Sequence, residues 1–178
     1  HKRSLAIREE IGDKRGMGAS LNNMGLVHDN KDDLDTALDY LGRSLKIREE
    51  LGDKRKMGGI LSNIGNVHAK KGDYDKAQDY YDKSLAIKEE IGDKYGMGIS
   101  FISIGVMNRK KGDLDTALDY LERSLAIKEE LGDKLGMGDS LNSIGNVHAE
   151  RGDYDKALDC HKRSLAIREE IGDKRGMG

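Results

Sequence analysis

Residues 133–172 read DKLGMGDSLNSIGNVHAERGDYDKALDCHKRSLAIREEIG, and variants of this block recur down the whole chain. Ser-Leu-x-Ile begins at Ser4, Ser44, Ser84, Ser124 and Ser164, and Gly-Asp-Lys at Gly12, Gly52, Gly92, Gly132 and Gly172, a period of 40 residues. A fixed period of this size predicts a repeat array whose neighbouring units share one elongated core. Such arrays build extended surfaces for partners.

Within the quoted unit, Asp133 is placed to cap a first helix, A, by accepting from its free backbone N–H groups. Met137, Leu141, Ile144, Val147 and His148 follow with helical spacing. Helix A is predicted to end near Arg151, with Gly152 supplying a left-handed turn. Asp153 then caps helix B. Its apolar series is Tyr154, Ala157, Leu158, His161 and Leu165, with Ile167 and Ile171 near the end and Gly172 as the stop. No segment alternates with period two between turn signals, so the class is all-α: antiparallel helix pairs joined by short turns. Gly145 and its equivalents Gly25, Gly65 and Gly105 lie inside helix A, where a glycine costs about 1 kcal/mol relative to alanine. Their shared phase implies close approach to helix B, with Ala37, Ala77, Ala117 and Ala157 on the facing side.

The 178 residues carry a net charge of −2, which gives no general attraction to nucleic acid or acidic membranes. Charged and apolar residues each make up 36%, a balance that suits thin, solvated layers better than one globular core. The single cysteine, Cys160, excludes an intrachain disulfide and fits a reducing, cytoplasmic setting. No long apolar run is present, so no membrane span is expected. The whole chain, 1–178, is read as one array. A lone helix B occupies 1–12, four A/B units occupy 13–52, 53–92, 93–132 and 133–172, and a stub of the next helix A occupies 173–178. Residues 1–18 and 161–178 are both HKRSLAIREEIGDKRGMG, which reads as a piece cut from a longer array.

The run Leu141, Ile144, Gly145, His148, Gly152, Tyr154, Ala157 resembles the tetratricopeptide repeat signature. The 40-residue period, with Ser-Asn-Ile-Gly-Asn at 62–66 and Gly-Asp-Tyr at 72–74, is similar to the extended subclass of the Pins-type G-protein regulators and of kinesin light chain. The resemblance implies an α-solenoid with right-handed superhelix, helix A lining a concave groove that holds a peptide and helix B on the convex side. Two departures, Asp32 in place of a turn glycine and Asn108 in place of a histidine, are expected to weaken local packing or capping.

By the same resemblance, the groove positions are Ala19, Asn22, Asn23, Leu26 and Asp29; Gly59, Ser62, Asn63, Asn66 and Ala69; Ile99, Ile102, Ser103, Val106 and Arg109; and Asp139, Asn142, Ser143, Asn146 and Ala149. These vary more between units than the packing positions do. Asn22, Asn63, Asn66, Asn142 and Asn146 form a candidate amide ladder. Each offers one acceptor and two donors, enough to meet a peptide backbone without reading its sequence; the competing reading is ordinary exposed polar residues. Ile99, Ile102 and Val106 form a candidate apolar patch, with Phe101 on the packing side, unless they bury against a neighbouring helix. Arg109 and the pairs Lys70–Lys71 and Lys110–Lys111 sit at helix A C-termini, where they favour the helix dipole or attract acidic peptide segments. The Lys/Asn pattern that clamps a C-terminal carboxylate in chaperone-binding members is missing.

His28, His68 and His148 recur at one phase but lie two helices apart, too far to share a metal, and are read as packing residues. Cys160 stands where other units have tyrosine. No phosphate-binding or dinucleotide motif is present, and the repeated Arg/Lys-Glu-Glu of helix B reads as a solvated face. No catalytic residue, cofactor or metal is therefore expected. The leading reading is a non-enzymatic scaffold for a protein or peptide partner. The alternative is head-to-tail self-association through uncapped repeat ends.

Overall fold

A computed structural model of the chain describes Arg8 and residues 11–172. The helix B expected over 1–12 falls mostly, and the stub at 173–178 wholly, outside the described residues. Eight helices are described: α1 Lys14–Asn30, α2 Leu34–Glu50, α3 Lys54–Lys71, α4 Tyr74–Glu90, α5 Lys94–Lys111, α6 Leu114–Glu130, α7 Lys134–Arg151 and α8 Tyr154–Glu170. The odd-numbered helices are the A helices of the repeat and the even-numbered ones the B helices. No strand occurs among the described residues. Contacts divide the chain into two compact units, residues 1–93 with α1–α4 and residues 94–178 with α5–α8.

In the first unit α1 packs on α2, α2 on α3 and α3 on α4. Ala37, Leu41, Ile60, Ile64 and Val67 form its core between α2 and α3, and Leu21 and Met24 form a second cluster with Tyr40 and Ile47. The second unit repeats the plan over α5–α8, with Ala117, Leu121, Ile144, Val147 and Cys160 buried together. The interior glycines mark the closest approach within each pair. A Cβ on Gly25 would lie 2.7 Å from Leu41 Cγ and 3.2 Å from the Ala37 carbonyl. One on Gly105 would lie 2.6 Å from Leu121 Cγ.

Each pair is also latched by polar groups that the sequence pattern did not reveal. Ser44, Ser84, Ser124 and Ser164, on the B helices, are buried and donate to the carbonyls of Gly18, Gly58, Gly98 and Gly138 on the A helices. One turn on, Arg48, Lys88, Lys128 and Arg168 are buried as well. This corrects the reading of Arg/Lys-Glu-Glu as a wholly solvated face: the glutamates are exposed, whereas the cation turns inward over a glycine that leaves it room. At the far end of each pair, Lys14, Lys54, Lys94 and Lys134 reach Glu50, Glu90, Glu130 and Glu170.

Asp133 caps α7 as expected, its carboxylate accepting from Gly136 N at 3.0 Å, and Gly152 takes φ 85°. Asp153 stands at the N-cap of α8 but makes no side-chain cap bond; its carboxylate lies 3.5 Å from His148 Nδ1. His28 and His68 face Asp33 and Asp73 in the same way, at 2.8 and 3.4 Å. Where Asn108 replaces the histidine, Asp113 is released to accept from Thr116 N at 3.1 Å, and Asn108 instead donates to the Ile104 carbonyl. Asp32 adopts φ 60° in its glycine-type turn.

The apolar series proposed for helix B requires correction in α8. Ala157 is buried and His161 and Ile167 half-buried, but Tyr154, Leu158, Leu165 and Ile171 are exposed. The equivalent Leu34, Leu38 and Leu45 of α2 pack against the core shared with α3. That face is thus a contact for the next A helix, and the residues that would follow α8 lie outside those described. No helix among the described residues is long and apolar enough to cross a membrane.

Candidate functional site

The A-helix positions offset from the packing face were the expected site. In the first unit, α1 and α3 bring several of them together. Asn63 Nδ2 donates to Asn22 Oδ1 at 3.2 Å, joining successive A helices across 41 residues. Asn22 and Asn63 are half-buried and Asn23 is exposed. All three line an open cavity of about 300 Å³ together with Ala19, Gly59 and the basic side chains Arg48, Arg55 and Lys56. Asn66 is set apart from this group: its Oδ1 accepts from the Tyr81 hydroxyl at 2.7 Å, a bond that ties α3 to α4. Burial raises the Tyr81 phenol well above its ordinary pKa, so it stays a donor. Ser62 leaves the expected groove set altogether. It is buried, bonded to Ser84 Oγ at 2.8 Å and to Lys88 Nζ at 2.9 Å.

In the second unit the expected residues are less concentrated. Ile99 is exposed at 42%, whereas Val106 is half-buried and Ile102 packs against the core cluster of α6, α7 and α8. The apolar patch therefore contracts to Ile99. Phe101 lies on the packing side, 3% exposed, with the Arg123 guanidinium 4.2 Å over its ring. Asn142 is exposed and faces His161 Nδ1 at 3.0 Å; Asn146 is half-buried. Arg109 donates to Glu150 at 2.6 Å, again joining successive A helices across 41 residues. Lys70 does the same in the first unit, to Asp29 Oδ1 at 2.7 Å. Lys71 pairs with Asp35, so these basic residues hold ion pairs within the fold beyond any interaction with the helix dipole.

His68 stacks on Tyr80 of helix B and His28 packs tilted against Tyr40, each pair with ring centroids 5.4 Å apart. Among the described residues, no three His, Cys, Asp or Glu side chains converge as a metal site would need. The buried cations are the electrostatic feature that sequence reasoning missed. Burial pushes the Lys88 ammonium down to about 8. Lys128 donates to Asp133 at 2.8 Å, which holds that carboxyl below its ordinary range. Arg168 donates to Asp139, one of the expected groove residues. The only available signal was the strict recurrence of a Lys or Arg four residues after the latch serine.

Models of the tetratricopeptide repeat match residues 18–51, 56–130 and 99–170. No curated protein sequence matches the chain. Among solved structures, BtubC (BKLC) from P. vanneervenii superposes with a TM-score of 0.78 at 21% identity, covering 95% of this chain and 78% of that one. A Rap protein complexed with Competence and Sporulation Factor gives 0.83 at 18% identity, over 94% of this chain and 46% of that one; the chain thus spans about half of the Rap protein. A putative kinesin light chain of Podospora anserina, with nearly identical TPR-like repeats, gives 0.74 at 13% identity, over 96% of this chain and 84% of that one. These likenesses agree with the helix pairs and with the absence of strands among the described residues. On that combined evidence, the chain belongs to the tetratricopeptide repeat family, whose members are in general non-enzymatic protein-interaction scaffolds.

Proposed function

We infer that the chain is a non-enzymatic scaffold that holds a partner peptide along the groove lined by its A helices. The observation that carries this reading is the grouping of Asn22, Asn23 and Asn63 around one open cavity of the first unit. Amides there present donors and acceptors together, so they suit a peptide backbone of any sequence. The A-helix position that reads Ala19, Gly59, Ile99 and Asp139 differs in every unit, as expected where a ligand and not the core selects the residue. The Rap protein of similar fold, solved with Competence and Sporulation Factor, supports a bound partner for this architecture.

The test begins with peptides selected from a random display library against the whole chain. Asn63→Ala, Asn66→Ala, Asn142→Ala and Asn146→Ala combined should weaken the best peptide by roughly tenfold or more, at about 1 kcal/mol per lost hydrogen bond. Asn66 and Asn142 also bond to helix B, so urea unfolding of the variant serves as the control. Equal affinity in a folded variant rejects the ladder.

A second reading, end-to-end self-association, is favoured by the exposed face of α8, where Tyr154 is 72% and Leu158 53% accessible. Light scattering over a concentration series tests it. The mass should climb with concentration and return to one chain when Leu158 and Leu165 become lysine. A mass fixed at one chain for the unaltered protein ends this reading.

A further inference from the structure

Cys160 stands where the first three repeats have Tyr40, Tyr80 and Tyr120, and each of those tyrosine rings is received in the same way. On one side it meets a ring of the A helix: His28 and His68 lie 5.4 Å from Tyr40 and Tyr80, and Phe101 lies 5.8 Å from Tyr120, between centroids. A cation three residues further along helix B lies over the ring, Arg43 at 5.6 Å, Lys83 at 5.2 Å and Arg123 at 5.2 Å. Such a place rewards an aromatic ring beyond its apolar area.

The fourth repeat keeps the receiving groups and lacks the ring. His148 and Arg163 hold the phases of His68 and Lys83, and both line an open cavity of about 470 Å³ among α6, α7 and α8. Leu125, Leu141, Ile144 and Cys160 form its apolar wall, the last three being more than nine-tenths buried. The exposed Asp155, Lys156 and Asp159 form its polar edge. An apolar recess with a few polar groups at its rim, of this volume, is a form that small ligands occupy.

We propose that this cavity binds a free single-ring phenol, which takes the place of the missing tyrosine ring against the His148 imidazole and the Arg163 guanidinium. The ring covers Leu141 and Ile144, and its hydroxyl meets the polar edge. The Cys160 thiol takes no part; it is the side chain too small to fill the space. None of the lining residues is one of the expected groove positions, so the site does not depend on the peptide reading above. A tyrosine side chain of a partner has the same chemistry. The free ring is favoured because a tyrosine entering from solvent would lead with its hydroxyl and bury it against Leu141 and Ile144, whereas a free phenol can turn that group outward.

The experiment titrates p-cresol into the full chain and follows the histidine ring resonances by ¹³C-edited NMR. His148→Asn, the residue that the third repeat carries at this phase, identifies the His148 signal. That signal should move upfield and saturate, while those of His28 and His68, whose places are held by Tyr40 and Tyr80, stay still. 4-Methylcyclohexanol, of similar size without the aromatic face, should bind roughly two- to tenfold more weakly. Cys160→Tyr restores the ring of the other repeats; it should shift the His148 signal without ligand and abolish the response to p-cresol. A shift shared by all three histidines, one that does not saturate, or one that persists in a folded Cys160→Tyr chain overturns the site. Equal binding of 4-methylcyclohexanol overturns its preference for an aromatic ring. N-acetyltyrosine amide should bind more weakly than p-cresol; tighter binding overturns the assignment to a free ring in favour of a partner's side chain.

Discussion

Ser44 Oγ donates to the Gly18 carbonyl at 2.7 Å, across 26 residues, and the bond recurs at 2.7, 2.9 and 2.8 Å from Ser84, Ser124 and Ser164. The donor is fully buried, so its loss cannot be repaired by water. Ser44→Ala should lower stability by about 1 kcal/mol, read as a lower urea midpoint at unchanged slope.

The glycines divide into two kinds with opposite responses. Gly105→Ala places a Cβ 2.6 Å from Leu121 Cγ and 3.1 Å from the Ala117 carbonyl, where the backbone cannot yield. Overpacking of about 1–3 kcal/mol outweighs the helix-propensity gain of about 1 kcal/mol, so the variant is destabilised. Gly42→Ala, at an exposed position of α2, meets nothing within 4 Å and should raise stability by up to about 1 kcal/mol. Thermal unfolding of the pair checks both signs.

Asp32→Gly relieves the non-glycine residue at φ 60°, in a turn where Gly72, Gly112 and Gly152 sit at 81°, 85° and 85°. A stabilisation of about 0.5–1 kcal/mol is expected, since the left-handed cost of about 1–2 kcal/mol is partly offset by the greater freedom of glycine in the unfolded chain. Chemical unfolding of the variant measures it; an unchanged midpoint would mean that aspartate bears the turn without strain.

Lys88 gives a pH dependence of defined sign. Burial lowers its pKa from an ordinary 10.5 to about 8 in the fold, against the opposing attraction of Asp93. Between those values the unfolded chain binds a proton that the folded chain has released, so stability rises as pH increases through this window. Tyr81 opposes this from about pH 10 upward, because burial raises its folded pKa and the unfolded chain ionises first. Urea midpoints should therefore rise between pH 8 and 10, and Lys88→Met should flatten that rise.

The fold was legible because the 40-residue period repeats each signal: Gly25 and Ala37 advertise a close contact only when seen at the same phase four times. The latch serine and the buried cation are equally periodic, yet the serine marks only the period and the cation reads as part of a solvated face, because a charged side chain is ordinarily solvated. Burial of Arg48 depends on the missing side chain at Gly18, a relation between helices that local patterning does not carry. The site was legible in outline only. Asn22 and Asn63 meet across successive A helices, but whether such an amide faces a ligand, another amide or helix B depends on register: Asn63 reaches Asn22, whereas Asn66 turns to Tyr81. Ile102 was drawn into the core by the same rotation. The exposed Tyr154 and Leu158 were misjudged because their burial requires a following helix, not a property of α8 itself.

The bonds that build this protein are short in sequence: Ser44 to Gly18 spans 26 residues, Lys14 to Glu50 36, and Asn63 to Asn22 41. Each closes within about one period, so folding never has to wait for distant parts of the chain to meet, and rapid assembly from many starting points is open to it. Heritable change gains the same freedom. Excising or inserting one period in phase re-creates junctions of the same kind, making length itself a variable that duplication can tune without redesigning any contact.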